Sequence, residues 1–280
     1  MERVSSIAEM RETTARLRSE GKRIGFVPTM GALHEGHLSL VRAARERADA
    51  VVVSVFVNPT QFGPSEDFAS YPRDIEQDAA LADEAGCDVL FVPAADEIYP
   101  EHYATVVHVQ KLTQKMCGAF RPGHFDGVTT VVAKLLSIVR PHFVVFGQKD
   151  GQQVAVIERM TADLEMDVEI VRGPTVREAD GLALSSRNAY LSKDERARAA
   201  VLNRALRRAE SLYESGTTAA GDVLEAVQET ISEGGGVDLQ YCVAVDSRTL
   251  EDVTDLRPGA MIALAAFVGT TRLIDNVVLE

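Results

Sequence analysis

Apolar and polar positions along the first part of the chain alternate between two rhythms. Short runs rich in β-branched residues read as strands at 24–27, 50–57, 88–92, 143–146 and 167–171, and the stretches at 36–48, 74–85, 126–139 and 150–162 read as helices. The run at 50–57 is almost unbroken in its apolar character, as expected of a strand buried on both faces of a parallel sheet. Pro141 stops the helix that ends near 139. Strand–helix alternation of this kind predicts a doubly wound α/β sheet, in which ligands collect beyond the carboxyl ends of the strands.

The rhythm changes around Gly173 and Pro174. A polar loop is followed by a long predicted helix at 193–213, with Ser192 as its N-cap, and by a second helix at 219–232. The triplet Gly234, Gly235, Gly236 then breaks the chain before strand-like runs at 239–245, 260–268 and 273–279. The expected organisation is a Rossmann-like domain over residues 1–174 and a smaller C-terminal α+β domain over 175–280. The first few residues lead into a polar amphipathic stretch and not into an apolar signal core.

With 46% hydrophobic residues, the 280-residue chain has enough apolar surface for a substantial core. Its formal net charge of −13 argues against non-specific binding to nucleic acid or to an acidic membrane, both of which need a basic field. No apolar run approaches the roughly 18 residues that would span a bilayer. Cys87, Cys117 and Cys242 are odd in number, far apart and without C-x-x-C spacing, which speaks for reduced thiols, a cytoplasmic location and no zinc cage.

The candidate chemistry begins at the ends of the predicted strands. Pro28-Thr29-Met30-Gly31-Ala32-Leu33-His34-Glu35-Gly36-His37 follows the first buried strand and opens a helix. His34 and His37 are three residues apart, so at a helix start they can face one way, toward an anion at the helix N-terminus. A zincin would need a second histidine four residues after His34, where Leu38 stands. Neither a P-loop nor a G-x-G-x-x-G fingerprint is present. Phe146-Gly147-Gln148-Lys149-Asp150 places a cation at another strand tip, where Gly147 permits a tight turn and Asp150 can cap a helix or meet a ribose or metal. The segment from Arg177 to Asn188 carries Leu184, Ser185, Ser186 and Arg187, hydroxyls and a guanidinium suited to a phosphate clamp. Gln61, in Asn58-Pro59-Thr60-Gln61-Phe62, offers an amide to a hydroxyl or carboxylate. Asp126 reads as an N-cap, while Arg121 and His124 are equally compatible with a solvated face and with a cleft.

The H-x-G-H spacing resembles that of the nucleotidylyltransferase and class I aminoacyl-tRNA synthetase superfamily. The five ordered motifs together, with their spacing and the whole length, resemble the pantothenate synthetase family; Leu184 stands where that family commonly has Met. The resemblance implies ATP-dependent joining of pantoate and β-alanine through a pantoyl-adenylate, with AMP and pyrophosphate released. It implies that Met30, Gly31, Ala32, Leu33, His34, Glu35, Gly36 and His37 contact ATP, together with Gly147, Gln148, Lys149, Asp150, Val176, Leu184, Ser185, Ser186 and Arg187. His34, His37, Lys149 and Arg187 would be catalytic, and Gln61 and Gln153 would grip pantoate. The resemblance further implies Mg²⁺ carried on the phosphates with no protein metal cage, a homodimer, and a second domain that covers the cleft. The alternative within the superfamily is transfer of AMP to a phosphate acceptor.

Overall fold

The computed structural model describes residues 1–64, 66 and 68–280. These fall into two compact units, the first comprising 1–147 and 156–173 and the second 148–155 and 174–280. The first unit is built on β1 (Glu2–Val4), α1 (Ile7–Ser19), β2 (Ile24–Thr29), α2 (Glu35–Arg45), β3 (Ala50–Val55), α3 (Ile75–Glu84), β4 (Val89–Phe91), α4 (Ala95–Ile98), α5 (Cys117–Phe120), α6 (His124–Val139), β5 (Phe143–Gly147), α7 (Gly151–Asp163) and β6 (Glu169–Gly173). The opening turn of α7 groups with the second unit.

All six strands of the first unit run parallel in the order β1-β4-β3-β2-β5-β6. The order reverses between β2 and β5, which pair through Gly25–Phe143 and Phe26–Val144. That reversal is the switch point where open α/β sheets place their ligands. Every residue of β3 is buried, which explains a run that is apolar apart from Ser54. Gly25 is required for this pairing, since a Cβ there would stand 2.6 Å from the Phe143 ring.

The second unit holds α8 (Lys193–Ala199), α9 (Val201–Glu214), α10 (Ala220–Gly234), β7 (Asp238–Asp246), β8 (Ala260–Val268) and β9 (Thr271–Val278). The three strands form an antiparallel sheet in the order β7-β8-β9. Its core joins Val201, Leu202, Ala205 and Leu206 of α9 and Val223, Val227 and Ile231 of α10 to Ile262, Leu264 and Ala266 of β8. Ser192 is an N-cap as expected, in a reciprocal capping box with Glu195.

Two expectations are corrected. The single helix at 193–213 is two helices, α8 and α9, that meet at Ala200. Asp126 is not a cap: α6 begins after Gly123, whose left-handed φ of 81° reverses the chain, and Asp126 in the first turn bonds His108 Nδ1 at 2.7 Å. The polar N-terminal stretch contributes β1, an edge strand, and α1, capped by Ser6. The three cysteines are free thiols, and no helix among the described residues is long and apolar enough to cross a membrane.

Candidate active site

The loop after β2 is held by a carboxylate from a distant helix. Thr29 ends the strand, donating its hydroxyl to the Ser54 carbonyl at 2.8 Å and accepting the Gly31 N–H at 3.2 Å. Gly31 and Ala32 both have positive φ, at 82° and 52°, so the chain turns sharply here. Asp78 of α3 accepts the N–H groups of Ala32 at 3.0 Å and Leu33 at 2.7 Å. Burial pushes the Asp78 carboxyl above its ordinary value, and those two N–H groups offset only part of that rise. A Cβ at position 31 would lie 2.8 Å from Asp78 Oδ2, so glycine permits the carboxylate to come this close. Met30, Gly31 and Asp78 line a cavity of about 320 Å³, together with Val55 at the end of β3, Phe56 and Val57 just beyond it, and Val92 and Pro93 beyond β4. The cavity therefore sits at the carboxyl ends of three neighbouring strands.

This turn delivers two imidazoles to the start of α2. His34 is the N-cap, in extended backbone, and its Nδ1 accepts the Gly36 N–H at 3.2 Å. His37 Nδ1 accepts the His34 N–H at 3.4 Å, closing a capping box made of two histidines. The rings stand 4.1 Å apart with a 35° tilt. An Nδ1 that accepts a backbone N–H places the ring proton on Nε2. Both rings thus carry an Nε2–H donor. The sequence suggested that free helix N–H groups would meet an anion, but the Gly36 and His37 N–H groups are bonded within the motif.

Gln61 sits in the 3-10 turn Pro59–Gln61 after β3, and its amide has a set polarity. Buried Asn58 donates Nδ2 to Gln61 Oε1 at 2.9 Å and to the Gly127 carbonyl at 3.1 Å. Asn58 Oδ1 accepts the Thr60 N–H at 3.3 Å, the Thr60 hydroxyl at 2.9 Å and the Tyr99 hydroxyl at 2.9 Å. With its oxygen engaged by Asn58, the Gln61 side chain presents its NH₂ as donor. A Cβ at Gly127 would lie 2.4 Å from the Thr60 carbonyl oxygen, so α6 packs directly on this turn. Arg121 and His124 secure the same turn from the other side. His124 Nδ1 lies 2.9 Å and Arg121 Nη2 3.2 Å from the Gln61 carbonyl oxygen, and the two side chains meet at 3.0 Å. Arg121 also makes two bonds to Glu66, at 2.7 and 2.6 Å. Burial acts against the Arg121 charge, but the bond and charge of Glu66 outweigh it and raise its affinity for the proton.

The remaining residues expected at the site belong to the second unit, apart from Gly147, which ends β5. Gln148, Lys149 and Asp150 form a 3-10 turn, and Gln153 lies in the first turn of α7. Asn276 of β9 donates to the carbonyls of both Gln148 and Lys149. Val176 and Leu184 are joined by a backbone bond of 3.0 Å, Leu184 N–H to Val176 O, and Arg177 bridges Ala183. Ser185 caps the turn Ser186–Tyr190, its hydroxyl accepting the Arg187 N–H at 3.3 Å. Each unit therefore gathers its own share, the imidazoles and Gln61 in one, the lysine and the serine–arginine loop in the other. Sequence reading passed over Asn58 as a ligand of Gln61, and it missed Asp78, Tyr99, Asp275 and Asn276.

The family described as Pantoate-beta-alanine ligase matches residues 2–278. A pantothenate synthetase from Heliobacterium modesticaldum is 55% identical over 280 residues, 100% of each chain. The crystal structure of pantothenate synthetase from Thermus thermophilus superposes with a TM-score of 0.94 at 48% identity, over 99% of each chain. Pantoate-beta-alanine ligase from Francisella tularensis, complexed with beta-gamma ATP and beta-alanine, matches with a TM-score of 0.81 at 35% identity, over 99% of this chain and 97% of that one. A match this complete, over both units and at such identity, means that the chain belongs to the pantoate–β-alanine ligase family, the pantothenate synthetases.

Proposed function

We propose that this ligase activates pantoate on ATP and hands the acyl group to β-alanine, using its imidazole pair and two cation-bearing loops as a charge-neutralising cradle. A carboxylate is a poor electrophile and is repelled by a triphosphate, so attack on the α-phosphorus needs neutralised phosphate oxygens. A pantoate carboxylate oxygen bonds to the α-phosphorus as the bond to the β-phosphate bridge breaks, releasing pyrophosphate. The β-alanine amine then attacks the acyl carbon, loses a proton, and AMP leaves.

The observation that carries this reading is the double-histidine cap. Its Nε2–H donors are oriented by Nδ1 bonds to the chain's own backbone, and donors fixed in this way need little reorganisation in the reaction. In this scheme His34 and His37 hold phosphate oxygens, and His37 stabilises the charge that develops on the α-phosphoryl group. Lys149, Ser186 and Arg187 hold the remaining oxygens, Met30, Gly147, Asp150 and Val176 border the nucleotide, and Gln61 and Gln153 hold the pantoate hydroxyl and carboxylate. Among the described residues no group of three His, Cys, Asp or Glu side chains could hold a metal ion. Hard phosphate oxygens suit Mg²⁺, so the donor set fits an ion that enters on the nucleotide and adds charge neutralisation there. The reading extends to a cytoplasmic homodimer, for which sedimentation at twice the chain mass is the check.

ATP–pyrophosphate exchange with the two acceptor substrates supplied separately tests the scheme. Pantoate alone should support exchange, and β-alanine alone should not. Exchange that required β-alanine would refute the pantoyl-adenylate.

A further inference from the structure

We propose that the adjacent pair Asp275 and Asn276 on β9 is a positioning element that seats the Lys149 turn and the Arg187 loop on one strand. The proposal rests on the reading above that Lys149 and Arg187 hold the triphosphate. β9 is the edge of its sheet and packs against both 3-10 turns, Gln148–Asp150 and Ser186–Tyr190. Asp275 and Asn276 are 3% and 6% exposed, and polar groups so buried are costly unless bonded.

The Asn276 amide gives neither proton to its own sheet. Its Nδ2 donates to the Gln148 carbonyl and to the Lys149 carbonyl, both at 2.9 Å, and its Oδ1 accepts Gln148 Nε2 at 3.0 Å. Those carbonyls belong to the two peptide planes that flank the Lys149 Cα. Because peptides are planar, holding both oxygens leaves Lys149 one combination of φ and ψ and one direction for its Cβ. The turn also lies tightly on the sheet: a Cβ at Gly151 would meet Met261 Sδ at 2.8 Å and Asn276 Nδ2 at 3.3 Å.

Asp275, one residue earlier, performs the matching task for the other loop. Its carboxylate accepts Arg177 Nη1 at 2.6 Å and Nη2 at 3.0 Å, and also the Asn276 N–H at 2.8 Å. Arg177 Nη1 in turn donates to the Gly181 carbonyl at 3.2 Å, tying off the turn that leads to Ser185 and Arg187. Successive residues of a strand face opposite sides, so two neighbouring positions can engage two separate loops.

The test uses the full-length enzyme, with kcat and KM for ATP and for pantoate measured for Asn276→Ala, Lys149→Ala and the double variant, alongside thermal unfolding. A misplacement of the order of 1 Å can cost about 100-fold, so Asn276→Ala should lower kcat/KM for ATP by about 10- to 100-fold and leave KM for pantoate within about twofold. In the Lys149→Ala background the same change should cost less than about twofold, because residues acting as a unit are not additive. A purely structural role predicts full additivity and equal loss toward both substrates; either result overturns the proposal. Should Asn276→Ala not fold, Asp275→Asn with Arg187→Ala forms the equivalent cycle, with the same expected non-additivity and the same refutation. If Lys149→Ala leaves ATP kinetics unchanged, the assignment of Lys149 fails and the proposal with it; if Lys149→Ala is impaired and Asn276→Ala is silent, only the positioning role fails.

Discussion

Replacing Asn58 by aspartate changes almost no volume and reverses one hydrogen-bond polarity, which isolates what the Gln61 amide contributes. Asn58 is 1% exposed. The side-chain oxygen facing Thr60 and Tyr99 keeps its three donors in Asn58→Asp. The second oxygen, however, replaces an NH₂ that donates to Gln61 Oε1 at 2.9 Å and to the Gly127 carbonyl at 3.1 Å. The Gly127 carbonyl is part of α6 and cannot turn away. The Gln61 amide can, and rotating it by half a turn puts Nε2 on the new carboxylate and Oε1 toward the substrate.

If Gln61 donates to pantoate, as proposed, that donor then becomes an acceptor. A hydrogen bond to a charged group is worth about 1.5–3 kcal/mol, and each 1.36 kcal/mol is tenfold in rate. The expected loss in kcat/KM for pantoate is therefore about 10- to 150-fold, measured by ATP–pyrophosphate exchange, with KM for ATP little changed. Native kcat/KM for pantoate, or a loss confined to ATP, would refute the view that Asn58 sets the direction of Gln61.

His34→Asn separates the two tasks of that residue. Asparagine is a good N-cap, so stability in urea should change by less than about 0.5 kcal/mol, whereas loss of the Nε2–H donor should slow adenylation by about 100- to 1,000-fold; a large stability loss with intact adenylation would reverse the assignment. Asp78→Asn probes the buried carboxylate. Its raised folded-state value means that the native chain binds this proton more tightly than the unfolded chain does. The contribution is fully present below the ordinary value of 3.8 and is lost as pH rises through the folded value. Native stability measured against Asp78→Asn should therefore fall over that rise, and a difference that grew with pH would contradict the burial argument.

How much of this could be read from the letters follows from how local each feature is. The run at 50–57 announced a strand because both its faces are buried, and the histidine pair was legible because both rings bond backbone N–H groups within the same helix turn. β1 gave no signal, since only Val4 of its three residues is buried. In α1 two of the four buried residues are threonines, Thr13 and Thr14, so its inward face reads as polar. The residues that brace the candidate site act across long stretches of chain: Asp78 reaches back 45 residues to Leu33, Tyr99 reaches 41 to Asn58, and Asn276 reaches 127 to Lys149. No local pattern encodes such partners. One of these cases nonetheless leaves a trace. A strand with a single buried face tolerates polar residues at every second position, and Asp275 and Asn276 stand side by side in an otherwise apolar run. At least one of them must then face the core, where a polar group has to be bonded. Alternation and the cost of desolvation are therefore enough to mark the pair, whatever loops it holds.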